Sequence, residues 1–205
     1  MANKIKYGIQ NVYYAVATDN GQGVLTYGTP VKWPGARSIS LSAEGDTTKW
    51  PADNVTYWQG VSNSGYEGDL TMARIVDSFH KDVLGEIEDQ NGALVEYSNV
   101  LGKQFALMFQ FEGDEKATRH VFYNCVAGRP DIAGNTVDGS IEPEEETVSI
   151  TASPRLNDNL VKASLTDDGS AAYTNFFSSV YEPVVDANFL PQGDDSLNNE
   201  EEDGE

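Results

Sequence analysis

The sequence predicts a mainly β protein, with antiparallel strands and one or two helices. Three observations support this: polar and apolar residues alternate with a period of two in several segments, a convincing helical period occurs once through the middle of the chain, and glycines and prolines separate the segments. The length of 205 residues fits one domain, and a hydrophobic content of 39% is enough to build its core.

Two segments alternate most clearly. In the first, 37–42, Ile39 and Leu41 face one side and three serines face the other; the second is 146–152. Such alternation is typical of strands with one buried face in an antiparallel sheet. We expect further strands over 12–17, 55–59, 66–72 and 94–97.

Residues 105–111 are apolar on both faces, which predicts a central strand whose second face is covered by a helix or a neighbouring subunit. The turn-forming sequence 112–116 and the β-rich run 118–126 follow directly. The order therefore predicts a hairpin of these two strands.

The helical period predicts one helix between an N-terminal cap at Asp77 or Ser78 and a stop at Gly85. Asp77 and Lys81 are spaced to form an ion pair, and His80 lies on the polar side, where we expect it to be solvated. The apolar residues that define the period are Val76, Phe79, Val83 and Leu84.

A second, shorter helix is predicted over 174–181, burying Phe176, Phe177 and Val180 before Pro183 stops it. Residues 193–205 hold seven acids and no base, which predicts a disordered acidic tail. We therefore divide the chain into a β domain over 1–192, with 184–192 as an arm, and the tail.

The aromatic-rich stretch 43–65 is flanked by loop-forming residues and contains Trp50, Tyr57 and Trp58. One interpretation is a hairpin folded onto its own core. The other is a protruding hairpin whose exposed rings dock on another subunit, because Trp and Tyr are enriched at the anchor points of interfaces. Together with Trp33, the same rings also suggest a carbohydrate- or surface-binding β-sandwich module.

The charge balance excludes a sequence-independent grip on DNA or anionic lipid. Thirteen Lys and Arg stand against 33 Asp and Glu, which gives a net charge of −20. Nucleic acid is repelled by such a protein. The N-terminus has no apolar core of a signal peptide and no run of 18 apolar residues occurs, so we expect synthesis in the cytoplasm and no membrane partner.

Catalytic signatures are absent from the sequence, and we expect no enzyme activity, no cofactor and no metal. Nucleophilic catalysis at Cys125 needs a base such as His120, but a spacing of five residues within one strand predicts that the two face opposite sides. A buried structural thiol is expected. A hydrolase that uses unrecognised carboxylates stays open, since the sequence holds 33 of them.

Several short segments follow one another in a characteristic order. They are an N-terminal strand, 35–45 (GARSISLSAEG), 52–54 (ADN) followed by an aromatic strand, 65–70 (GYEGDL), and a helix that ends at Leu84-Gly85. This order resembles the major tail protein of long-tailed, non-contractile bacteriophages. The resemblance covers roughly 7–183, and each segment alone is short.

The resemblance implies an antiparallel β-sandwich or barrel-like subunit with one flanking helix and extended loops or arms. Such subunits form rings of six that stack into a hollow tail tube, with tail tip, tape measure and tail terminator proteins as partners and DNA only as passing cargo. The implied location is the virion. On this basis we expect Trp50, Tyr57, Trp58 and Tyr66 at contacts between subunits or rings, and Glu142, Glu144 and Glu146 as candidates to line the lumen.

Overall fold

The computed structural model describes residues 5–136 and 143–185. Two short helices are present in this part of the chain: α1 (Asp77–Phe79), which continues as a π-helical turn over His80–Leu84, and α2 (Ala171–Thr174). The strands are β1 (Ile9–Asp19), β2 (Leu25–Tyr27), β3 (Val31–Lys32), β4 (Ala36–Glu44), β5 (Thr47–Ala52), β6 (Val55–Val61), β7 (Gly65–Met72), β8 (Ile87–Glu88), β9 (Leu94–Val95), β10 (Phe105–Phe111), β11 (Arg119–Ala127), β12 (Glu146–Ser153) and β13 (Lys162–Leu165).

Nine of these strands form one antiparallel sheet in the order β2-β1-β10-β11-β12-β7-β4, with β3 beside β1 and β13 beside β11. The pairs β5–β6 and β8–β9 are separate ribbons. The predicted mainly antiparallel β fold with a small helix is confirmed. The central position of β10 and its hairpin with β11 are confirmed as well.

The sheet curls, because β1 and β4 approach each other although they lie near opposite ends of the strand order. The curl encloses a first apolar cluster, to which β1, β7, β10, β11 and β12 contribute inward-facing residues. Phe79 of α1 closes this cluster, with its ring 4.2 Å from Trp33 and 5.1 Å from Tyr14 between centroids. Burying one such ring stabilises the fold by about 1.5–3 kcal/mol.

A second apolar cluster lies on the other face of β10, where Ala106 and Met108 are fully buried. Residues 160–181 cover it, and Phe176 lies at its centre. Tyr13 of β1 stacks on Phe177 with centroids 4.9 Å apart. β10 is therefore apolar on both faces because residues 160–181 of the same chain cover its second face.

Several local predictions were wrong. The N-cap of α1 is Val76, whose side chain makes no capping hydrogen bond, although Gly85 does end the helix with a φ of 83°. Lys81 pairs with Glu88 rather than with Asp77. His80 is not simply solvated: its ring is about one-fifth exposed and shares a 2.7 Å hydrogen bond with Glu86.

The second helix lies earlier than predicted. It covers Ala171–Thr174, with Ser170 as its N-cap, and 175–178 form turns. Phe176 is nevertheless buried, and Phe177 and Val180 pack against the second cluster as expected. The short strands β2, β3, β8 and β13 were not predicted, since two to four residues carry too little pattern.

Candidate functional site

The β5–β6 hairpin continues the β4–β7 pair beyond the main sheet. Its turn is Asp53-Asn54, because Ala52 pairs with Val55, and both turn residues have positive φ, 51° and 62°. Two successive residues of this conformation make the tight turn that matches the twist of a hairpin, and Asp and Asn tolerate it best after glycine.

The rings of the hairpin are exposed. Trp50 pairs directly with Trp58 across the two strands, and the exposed fractions of Trp50, Tyr57 and Trp58 are 62%, 71% and 55%. All residues of β5 and β6 except Ala52 and Gly60 are exposed, so the alternative of a hairpin folded onto its own core is wrong. A contiguous exposed apolar surface of this kind is typical of an interaction site.

Two structural observations argue against the carbohydrate-binding alternative. Trp33 is 1% exposed, and its ring Nε1 donates to the carbonyl of Arg74, so it is a core residue. The rings of Trp50 and Tyr57 stand at 86° to each other, which does not give a shared flat platform for a sugar.

Tyr66 does not join the hairpin rings. It lies on β7 on the core-facing side, half-buried, with its ring edge-on to Phe122 at 5.2 Å between centroids. The Lys162 ammonium lies 4.4 Å from the centre of its ring. The structure therefore places Tyr66 in a groove, apart from Trp50, Tyr57 and Trp58.

A polar face is formed by the outward-facing residues of β4, β7 and β12. Glu67 and Asp69 lie on the middle strand, and within the described residues neither carboxylate has an ion pair or hydrogen bond. Hydroxyl residues flank them on both neighbouring strands: Ser38, Ser40 and Ser42 on β4, and Thr147, Ser149 and Thr151 on β12. We call these eight residues the polar face.

The three glutamates expected at the lumen have different surroundings. Glu142 lies outside the described residues. Glu144 is exposed and accepts a 2.7 Å hydrogen bond from Asn135 Nδ2. Glu146 belongs to the core-facing row of β12, and its carboxylate accepts a 2.6 Å hydrogen bond from the backbone N–H of Ile75. Glu146 thus fixes the segment that leads into α1.

One long edge of the sheet has no partner in the described chain. β4 pairs with β7 on one side, and its other edge carries unpaired backbone groups along nine residues. From 38 to 43 this strand contains no proline and no charged side chain, the residues that natural proteins place on exposed edges to prevent pairing between molecules; its charges, Arg37 at a register irregularity and Glu44, lie at its two ends. The edge is therefore competent to add a strand from another molecule.

A buried arginine fixes the C-terminal part of the described chain. Arg155 is 5% exposed, forms a two-bond pair with Asp158 (3.1 and 2.5 Å), binds Glu182 at 2.8 Å and lies 4.7 Å from the centre of the Tyr123 ring. Burial lowers the pKa of Arg155, but its hydrogen bonds to Asp158, Glu182 and Tyr27 raise it by more, so the guanidinium stays charged. Asp158 and Glu182 line a groove of 910 Å³, and both serve this structural cluster instead of forming an acid–base pair.

Cys125 is fully buried, as predicted, and its S–H donates to the carbonyl of Phe122. Burial raises its pKa to about 12, so the reactive thiolate is suppressed. The prediction that His120 and Cys125 face opposite sides was wrong. The pairing of β10 with β11 is irregular between Phe105 and Leu107, and this irregularity turns Cys125 to the same side as Phe122.

Over residues 5–136 and 143–185, no group of three or more His, Cys, Asp or Glu side chains could hold a metal ion. No helix in the same ranges is long and apolar enough to cross a membrane.

Comparison with protein families gives one decisive match: residues 2–164 fit the family described as phage tail tube protein. The chain belongs to the phage tail tube protein family. No curated protein matches its sequence. Among solved structures, it is similar to the tube-terminating cap of the anti-feeding prophage, at 9% identity and a TM-score of 0.43, over 79% of this chain and 93% of that one. It is also similar to a chain of the anti-feeding prophage baseplate, at 11% identity and a TM-score of 0.41, over 80% and 96%.

Family membership makes this tail tube protein a structural component of the virion tail. It confirms the resemblance found in the sequence. It also suggests a structural role without catalysis.

Glu67 and Asp69 were not predicted as site residues from the sequence. The alternation in 65–70 does place both on one side of a strand, but the flanking hydroxyl strands are recognisable only once β4 and β12 are known to be the neighbours of β7.

Proposed function

We propose that this tail tube protein polymerises as stacked rings of six into a hollow, acidic channel for passage of the phage genome into the host. Family membership supports the tail location, and the free edge of β4 supports the ring contact. A neighbouring subunit that pairs with β4 satisfies its backbone groups and extends the sheet around the ring. Each such contact joins two different surfaces, as ring and filament assembly requires.

The polar face is our proposed channel wall, and Glu144 stays a candidate to line it. Glu67 and Asp69 repel phosphate groups, and the surrounding hydroxyls offer no cation that could hold them. A positively charged channel wall would bind the DNA phosphates, release the counterions condensed on the DNA and so retain it. An acidic wall does not bind the phosphates, so the DNA can slide through the channel. Genome passage needs the second behaviour.

The β5–β6 hairpin is our proposed contact between successive rings. It extends beyond the sheet, and Trp50, Tyr57 and Trp58 expose large rigid rings, which supply contact area at a low cost in side-chain entropy. We expect tail tip, tape measure and tail terminator proteins as further partners, synthesis in the host cytoplasm, and no catalytic step.

The single observation that carries the proposal is the long unpaired edge of β4 in a chain of the tail tube family. It is tested by negative-stain electron microscopy of the purified protein at high concentration and raised salt. Salt shortens the range of repulsion between these acidic subunits from about 8 Å at physiological strength to about 3 Å at 1 M. Hollow tubes or rings support the proposal. A persistent monomer, even with tail tip proteins added, contradicts it.

A further inference from the structure

The β5–β6 hairpin is joined to the main sheet by two short segments, 45–46 and 62–64, which we call the junction. The last pair of β4 with β7 is Glu44–Gly65, and the first pair of β5 with β6 is Thr47–Val61. Two residues of one strand therefore lie opposite three of the other. Such an extra residue is a β-bulge, which bends the strand and increases its local twist.

Hydrogen bonds continue through the bulge. The N–H of Ser64 donates to the carbonyl of Glu44, and the N–H of Ser62 donates to the carbonyl of Asp46, both at 2.9 Å. In the opposite direction, the Asp46 N–H donates to the hydroxyl Oγ of Ser62 at 2.8 Å. The junction is therefore a bend held by hydrogen bonds and not a loose linker.

The bend depends on a glycine at position 45. A Cβ there would lie 2.1 Å from the carbonyl oxygen of Ser62, closer than real Cβ atoms approach another atom. Any other residue at this position must push the two strands apart. Asn63 holds the bulge from the other side, since its Oδ1 accepts a 3.1 Å hydrogen bond from the N–H of Gly65.

The direction of the hairpin depends on the junction because the hairpin itself has little other support. All residues of β5 and β6 except Ala52 and Gly60 are exposed. The turn residue Asp53 lies seven residues beyond Asp46, a distance of about 23 Å along a strand. A change of about 20° at the junction would therefore move the hairpin tip by about 8 Å.

We infer that the junction sets the direction of the hairpin and, through it, the rotation between successive rings of subunits. This inference rests on the proposed function, in which the exposed aromatic side chains of the hairpin contact the next ring. The bend decides where those side chains reach that ring. Gly45, Ser62 and Asn63 are positioning residues, because they act through the hairpin and not by contact with the next ring.

The first test measures distances between spin labels in the full-length chain at a low, monomeric concentration. One label is placed near the hairpin tip by Val55→Cys. The other is placed on the main domain by Glu115→Cys or by Asn157→Cys, both at exposed positions, so that two distances report the movement of the tip. The native Cys125 is fully buried and stays unlabelled.

Deletion of Asn63 leaves two residues opposite two at the junction, so the bend is expected to be lost. At least one of the two distances should then shift, by up to about 8 Å. Gly45→Ala is expected to broaden the distance distributions, because the strands separate at the bend. The matched control Gly134→Ala, where no atom lies within 4 Å, should leave them unchanged. Unchanged distances in both test variants would overturn the inference.

The second test is cryo-electron microscopy of tubes formed by the same chains without labels. Both test variants are expected to change the helical rotation per ring and to keep the number of subunits per ring. A moved tip with an unchanged rotation overturns the link between hairpin and ring. Loss of tubes in the test variants alone, with a moved tip and an unchanged urea midpoint, supports the positioning role.

Failure of the proposed function gives a different result. If the wild-type chain forms no tubes under any condition, the proposed function and the effect on ring rotation are both contradicted. The spin-label distances still decide whether the junction directs the hairpin, because they are measured on single subunits.

Discussion

Trp50 and Trp58 face each other as a direct cross-strand pair on a hairpin that projects from the main sheet, and both indoles are more than half exposed. A two-stranded ribbon has marginal stability on its own. Large rings kept at the surface of such a ribbon indicate a function in contact with another molecule.

A charge at either indole is therefore expected to block polymerisation without unfolding the subunit. Trp50→Asp and Trp58→Asp should change the free energy of unfolding by no more than about 0.5 kcal/mol, because the rings pack on no core. Electron microscopy should show loss of tubes. Leu156→Asp, at another exposed apolar site, is the control. Intact tubes in both Trp variants would show that the hairpin is not an assembly contact.

Charge reversal on the polar face should separate assembly from genome passage. Glu67→Lys/Asp69→Lys is expected to leave tubes intact but to make them retain double-stranded DNA, with an affinity that falls steeply as salt rises. Co-sedimentation of DNA with purified tubes at several salt concentrations measures this. Glu115→Lys, outside the polar face, should not retain DNA. If the control tubes retained as much DNA as the Glu67→Lys/Asp69→Lys tubes, the assignment of the polar face as the channel wall would be contradicted.

Gly68 is needed for the close approach of β7 to β4. A Cβ at this position would lie 1.8 Å from the carbonyl oxygen of Ser40. Gly68→Ala is therefore expected to lower the free energy of unfolding by about 1–3 kcal/mol, because the two strands must separate. Urea unfolding measures the change. Gly134→Ala, where no atom lies within 4 Å, should be neutral, and a neutral Gly68→Ala contradicts the close pairing.

Arg155 cannot be replaced by lysine. Its planar guanidinium bonds Asp158 and Glu182 at once, which a single ammonium cannot reproduce. Arg155→Lys is expected to cost about 1–3 kcal/mol in urea unfolding and to speed amide exchange around 178–182. Arg129→Lys, at an exposed ion pair with Glu96, should cost about 0–0.5 kcal/mol. Equal costs would show that burial of Arg155 adds nothing.

The same cluster predicts a pH dependence. Burial raises the pKa of Asp158, but hydrogen bonds from Arg155 and from the Leu160 N–H lower it by more, to below its ordinary value of 3.8. The carboxylate thus stabilises the fold above that value, and this contribution is lost as pH falls through the depressed pKa. The difference in unfolding free energy between wild type and Asp158→Asn should be constant near pH 6 and shrink below pH 4. A difference that does not change with pH contradicts the ion pair.

The alternation of Ile39 and Leu41, and of Val148 and Ile150, was enough to predict two strands, because side-chain direction in a strand has a period of two. The apolar faces of 105–111 predicted the central strand for the same reason. The end of the helix at Gly85 followed from the left-handed conformation that glycine adopts readily. Each of these signals depends only on residues close together in the chain, so it can be recognised from the sequence alone.

The sequence by itself determined most of the longer strands, the central hairpin, the buried thiol of Cys125 and the acidity that excludes non-specific binding to DNA. Only the tertiary structure decided which strands are neighbours, and with that the polar face around Glu67 and Asp69, the free edge of β4 and the bulge at the base of the β5–β6 hairpin. It also moved Glu146 to the core-facing row and Trp33 into the core. The physical reason is that pairing and burial depend on contacts between residues far apart in the chain, which no local periodicity records.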